Sequence, residues 1–413
     1  MKILIVLTLL AIVPLNAQVF RTQALSDRIK TLQVSVADRW DSDAIIQLNN
    51  GEPVEIRFDL LGASPENFTY TITHCNADWT PSQLFPSEYM TGLQHNYLTD
   101  YANSFNTKMN YVHYELFLPN ENIRLLVSGN YVVQVFSDQD TEHPVLNACF
   151  SIVERRTEIQ MQINSVTDKG VNNRYQAVNF EVSYGNEIKS PMQELKVYVQ
   201  QNNRYDNEAK LVKPLNLQNG KAFYDHQPAL VFDAGNEYRR FEMTTTHYTG
   251  LNIEAIEYHS PYYHTILRPD VFRSQFAYTF NEDLNGRIYI RNNDTDYPET
   301  EADYQIVHFY LACDHPLPEK VYILSEAFNN LLNVPSEMEY SAQDKGYVKS
   351  ALLKEGYYNY MYVTRKNASS PATTAVTEGD YYQTENEYCV MVYARTMGMR
   401  YDQLIGVQTL QFK

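Results

Sequence analysis

Apolar and polar residues alternate with a period of two along most of the chain. Val54, Ile56, Phe58 and Leu60 are separated by Glu55, Arg57 and Asp59. Val178, Phe180, Val182 and Tyr184 are separated by Asn179, Glu181 and Ser183, and Leu195, Val197 and Val199 by Lys196 and Tyr198. Ile159, Met161 and Ile163 repeat the pattern around Gln160 and Gln162. Successive side chains of an extended chain point to opposite faces, so each segment buries one side and wets the other. That is the signature of antiparallel strands in a sandwich. Turn signals separate the runs at Asn49-Asn50-Gly51, Ser128-Gly129-Asn130, Asn219-Gly220 and Asn285-Gly286. Long helical periodicity is missing. The pattern predicts an all-β chain of tandem immunoglobulin-like β-sandwich domains.

Three breaks divide it. Met1-Lys2, the apolar run Ile3 to Leu15 and Asn16-Ala17 read as a signal peptide over residues 1–17. The run is shorter than the roughly 20 residues of a membrane span, and no second long apolar run follows. Export to the periplasm without membrane insertion is the expectation. Glu154-Arg155-Arg156-Thr157 closes one set of strands. The acidic stretch Asn292 to Asp303, around Pro298, reads as a linker; as a calcium loop it lacks the Gly and the final Glu of an EF-hand. The expected domains are 18–154, 155–300 and 301–413.

Composition narrows the function. Fifty acidic against 33 basic residues give a net charge of −17, which repels phosphate backbones and excludes nucleic acid as a natural partner. Tyrosine, at 34 residues, suits half-buried β-surfaces. No nucleophile elbow, phosphate-cradling glycine loop or zinc-protease motif occurs, so no catalytic residue, metal ligand or cofactor is assigned. His259 and His264, five apart on a presumed strand, would face opposite ways. His74 alternates with Tyr70 and Ile72 and reads as a satisfied buried histidine rather than a base. Cys75 and Cys149, like Cys313 and Cys389, fit either a bridge between two sheets or separate buried thiols.

The densest unusual segment begins at His74-Cys75-Asn76-Ala77-Asp78-Trp79 and runs as a polar, aromatic excursion through Ser104 and Thr107 to the strand at Tyr111. Long excursions inside compact domains are usually functional or packed on themselves. It reads as an intradomain brace or a contact surface. This string, with His113-Tyr114 and Ser128-Gly129-Asn130-Tyr131, resembles the plug proteins of the type IX secretion system. So do Phe232-Asp233-Ala234-Gly235-Asn236-Glu237-Tyr238-Arg239-Arg240-Phe241 and the C-terminal motifs Glu385 to Tyr388, Val392 to Arg395 and Tyr401 to Gly406. The resemblance implies a periplasmic stopper docked on the giant outer-membrane translocon barrel, an SprA-like channel. It brings no catalytic residues. Its signature positions are His74, Asn76, Asp78, Trp79, Ser104, Thr107, Glu237, Arg239 and Arg240. The two arginines are expected to lock two domains together.

The rival reading is a carbohydrate-binding envelope protein. The segments Val321 to Leu324, Ala327 to Asn329 and Glu355 to Tyr360 resemble a glycogen-binding type of sandwich. Sugar platforms favour tryptophan, however, and Trp40 and Trp79 both lie in the first domain.

Overall fold

Strands defined by the alternation pair into three sandwiches in the computed structural model, which describes residues 18–413. The expected signal peptide at 1–17 lies outside the described residues. Among those residues no helix is long and apolar enough to cross a membrane.

In the first sandwich, Leu146–Val153, Gly129–Ser137, Phe68–Cys75 and Asn96–Leu98 run in that order in one sheet. Ile29–Val36, Val54–Leu61, Tyr111–Leu118 and Tyr101–Asn103 form the other. The inward positions of both sheets interdigitate around Phe58, Phe68, Tyr114 and Phe150, with Phe58 stacked on Tyr114 at 5.2 Å. Asn96–Leu98 and Tyr101–Asn103 are the edge strands of the two sheets and follow one another in the chain. The excursion therefore closes one side of the sandwich.

The second sandwich corrects the expected boundary at residue 300. One of its sheets is Ala209–Val212, Leu195–Gln201, Glu387–Ala394 and Gln403–Gln411. Residues Leu195 to Gln201 pair directly with Ala394 to Tyr388, and Tyr388, Val390 and Val392 fill the same core as Val178, Val197 and Val199. The C-terminal hairpin thus completes the second domain, and the third is inserted between two of its strands. Local alternation gives a strand's face but not its distant partner, so this topology has no signal in a linear pattern.

The inserted sandwich sets Arg239–Met243, Gly356–Arg365, Ile288–Ile290 and Lys320–Leu324 against a sheet of Ile253–His259, Tyr262–Leu267, Tyr304–Ala312, Gly346–Lys354 and Glu339–Ser341. Phe241, Phe309 and Tyr360 meet at its centre. The acidic stretch 292–303 is no linker. It joins Ile288–Ile290 to Tyr304–Ala312 inside this domain. All three domains meet at Arg287, whose guanidinium bonds Asp43 of the first at 3.2 Å and Glu387 of the second at 2.7 Å.

Candidate functional site

The excursion divides into a part that braces and a part that is bare. At its start, Trp79 N donates to Asn76 O at 2.9 Å. Asp78 accepts from Thr80 N and Thr80 Oγ1 at 3.1 and 2.6 Å, an Asx-type turn. Trp79 holds a positive φ of 65°, an uncommon state for a bulky side chain. Burial of its indole among Phe20, Cys75, Val132 and Cys149 accounts for it.

This turn clasps the C-terminal hairpin of the second domain. Ala77 N donates to Asp402 Oδ2 at 3.1 Å, and Arg395 bridges Asp402 Oδ1 at 2.7 Å and Asn76 Oδ1 at 2.6 Å. Lys196 completes the shell of the buried Asp402 carboxylate. Asn130 ties in from the neighbouring strand, donating to Asn76 O and accepting from Tyr393 Oη. His74 is buried below, edge-on to Tyr131 and Tyr401. Its Nε2 donates to Ser128 O at 3.2 Å, while Nδ1 has no partner. Burial lowers its pKa to about 4, so the ring is neutral near pH 7.

At its end the excursion clasps the third domain. Ser104 Oγ accepts from Thr107 Oγ1 and Tyr111 N, shaping the loop. Lys108 N and Met109 N then donate to the Asp303 carboxylate at 2.7 and 3.1 Å, and Tyr111 Oη donates to Ala302 O at 2.8 Å.

Between the clasps the surface is bare. Leu93, Tyr97 and Tyr101 are exposed there, Tyr97 by 74%, and Phe85 and Phe105 are exposed at its borders, where Glu88 pairs with Arg400 and Phe105 N donates to Thr300 O. Exposed edge strands are open templates for pairing, and these apolar side chains stand on the same excursion. The excursion braces domains against one another rather than within one, and the surface between its clasps is exposed.

The second-domain motif lands elsewhere. Arg239 bonds Glu378 Oε1 at 3.0 Å, Asp270 Oδ1 at 2.6 Å and Val271 O at 2.7 Å. Arg240 reaches only Glu282 O from the surface. Glu237 accepts from Tyr278 Oη and Glu385 N, and burial raises its pKa. These partners belong to the inserted domain and the segment returning from it. Arg239 therefore closes that domain on itself rather than joining two domains.

Other expectations need correction. All four cysteines are free. Cys313 packs at the third core and Cys389 among Ala77, Val153 and Tyr198, so no bridge links them. Cys75 and Cys149 share one apolar cluster as thiols, and burial raises Cys75 above its ordinary range and Cys149 to about 12. His259 and His264 lie on two strands of a hairpin, not on one. Their rings come within 5.1 Å, and His264 Nδ1 lies 2.8 Å from His308 Nε2. Even so, no three His, Cys, Asp or Glu residues among those described are placed to hold a metal ion.

A buried ionic group escaped sequence reading altogether. Asp59 sits on the supposedly wet face of Val54–Leu61 yet is fully buried, because the third domain covers it. Lys354 Nζ and Tyr304 Oη both bond Asp59 Oδ2 at 2.7 Å, and His113 Nδ1 bonds Oδ1 at 2.6 Å. Burial alone would raise the Asp59 carboxyl, but Lys354 and His113 outweigh it and hold it below its ordinary value. Burial would likewise lower His113, but Asp59 and Glu115 hold it above its own. Only the cross-strand register Asp59↔His113 could have flagged the pair.

Residues 29–154 match the family model described as the type 9 secretion system plug protein 1st domain. A crystal structure of a hypothetical protein from Parabacteroides merdae ATCC 43184 superposes with a TM-score of 0.94 at 44% identity, covering 96% of this chain and 100% of that one. An alkylpurine DNA glycosylase from Pseudomonas fluorescens is 19% identical over 30% of each chain, with a TM-score of 0.17 that carries no structural argument. No curated protein matches.

Proposed function

Because this chain belongs to the type 9 secretion system plug protein family, we propose that it is a non-enzymatic periplasmic plug. In this reading it seats on the periplasmic end of the giant outer-membrane translocon barrel, an SprA-like channel, and closes it while no cargo moves. The bare side of the first sandwich, within the matched domain, carries the proposal. Closing a pore needs bulk, rigidity and one adhesive face, and no chemistry. Three sandwiches tied at Arg287, Asp402 and Asp303 supply the first two. A few exposed aromatic anchors in a polar surround supply the third, with an affinity that arriving cargo can overcome. The net charge of −17 adds a salt-dependent attraction to a basic channel mouth.

The test is capture from detergent-solubilised envelopes of the protein's own cell, using the tagged chain. Recovery of one very large outer-membrane barrel, lost on combining Leu93→Ser, Tyr97→Ser and Phe105→Ser, is the expected result. Recovery of no membrane protein from envelopes shown to contain the barrel would overturn the reading.

A further inference from the structure

The outer face of the sheet holding Ile29–Val36 and Val54–Leu61 meets the third domain across an open cleft of about 530 Å³. That volume lies within the roughly 300–1,000 Å³ of small-molecule sites. Trp40 of the first domain and Tyr289 of the third form one wall, their rings 4.6 Å apart, and Tyr289 in turn stacks on Tyr357. Tyr101 and Tyr297 stand exposed along the cleft's lining. The two domains thus assemble an aromatic wall that neither carries alone.

Ionised groups of both signs line the rest. Arg57 Nε is buried with no hydrogen-bond partner, and its charge partner Glu55 lies 3.7 Å away, beyond hydrogen-bond length. Glu115 accepts from His113 at 3.2 Å and keeps further lone pairs. Arg39 adds one cation, while Asp38, Asp100 and Glu299 add three carboxylates. A net-charged ligand would meet repulsion here as well as attraction. A neutral molecule with an apolar face and a rim of hydroxyls matches both the aromatic wall and the spare donors and acceptors. Val54–Leu61 is paired on both sides, so its own backbone groups are already used and it meets a ligand through its side chains.

We propose that this interdomain cleft is a binding site for a short neutral oligosaccharide, with Trp40 and Tyr289 as the stacking wall and Arg57 and Glu55 as the hydroxyl-binding pair. Its test does not rest on the plug reading, although Tyr101 borders both surfaces. It differs from a platform within the third sandwich alone, since its tryptophan comes from the first.

The experiment titrates the full chain with maltotriose, cellotriose and chitotriose, followed by tryptophan fluorescence and calorimetry. Only Trp40 and Trp79 emit, and Trp79 is buried away from the cleft. Saturable binding of at least one sugar is expected. Trp40→Leu and Arg57→Gln should each weaken it at least tenfold with the unfolding temperature unchanged. No saturation by any of the three, or binding that both variants leave intact, overturns the proposal. So does saturable binding of a dipeptide panel in place of the sugars.

Discussion

At the scale of single residues, the seam between the first two domains rests on groups with little freedom. His74 takes up its proton near pH 4 in the folded chain and near 6.5 when unfolded. Between those values the unfolded state binds more protons, so stability is complete above about 6.5 and falls as the pH drops toward 4. A displacement of that size corresponds to roughly 3 kcal/mol. Thermal unfolding at pH 7 and pH 5 should show the loss in the parent chain and a smaller one in His74→Phe. Equal losses would place the acid sensitivity elsewhere. Gly129 sits against the same ring: a Cβ there would collide with His74 Nε2, and its φ of +139° disfavours other residues. Gly129→Ala should therefore lower stability by about 1–3 kcal/mol, read as the shift in urea midpoint. The burial of His74 was legible from its alternation with Tyr70 and Ile72. Its unpaired Nδ1 was not, because that depends on which atoms the second domain brings near. The free cysteines were equally illegible, since spacing along the chain does not report whether two thiols share a core.

At the scale of elements, alternation marks which face of a strand is apolar and is silent on what covers the polar one. Glu55, Arg57 and Asp59 alternate identically, yet the first two line a cleft while Asp59 is sealed under the third domain. The same silence separated the C-terminal hairpin from its true partner, Leu195–Gln201. His259 and His264 show the converse: the two-residue turn Ser260-Pro261 separates their strands, so the face rule of a single strand does not govern them. The clasp of the excursion on the hairpin gives a prediction at this scale. Asp402→Ala leaves Lys196 and Arg395 without their buried partner and Ala77 N without an acceptor. Removing one member of such a group costs about 3–5 kcal/mol. Hydrogen exchange should accelerate at both Asn76–Thr80 and Gln403–Gln411 if the two elements protect each other. Acceleration confined to the hairpin would show that the excursion holds its turn unaided.

At the scale of the whole molecule, an inserted third domain leaves and rejoins the second at neighbouring points, so its orientation depends on what else it touches. The Asp59–Lys354 pair is the deepest of those contacts. Lys354 Nζ also donates to Glu299 O at 2.6 Å and lies 4.2 Å from the centre of the Tyr111 ring. Lys354→Met removes one charge and strands the other. The Asp59 carboxylate keeps Tyr304 and His113, but its cation is reduced to the histidine. Adding Asp59→Asn removes the stranded charge while keeping an acceptor for Tyr304. The double variant should therefore be more stable than Lys354→Met alone, although it carries one more substitution. His113 adds a pH window. Its raised folded pKa makes its contribution complete below about 6.5 and lost as the pH climbs through that raised value. The lowered Asp59 value makes its own contribution complete above about 3.8 and lost as the pH falls through the lower folded value. Calorimetry of the parent chain, the single variant and the double variant at pH 6 would read the order directly, and small-angle scattering would report whether the third domain swings. If Lys354→Met leaves both the unfolding temperature and the scattering profile unchanged, Asp303 and Arg287 fix the orientation without the buried pair. If the single variant unfolds early and the double recovers, the loss comes from the unpaired Asp59 carboxylate, and the packing of the third domain on the first holds without the ion pair.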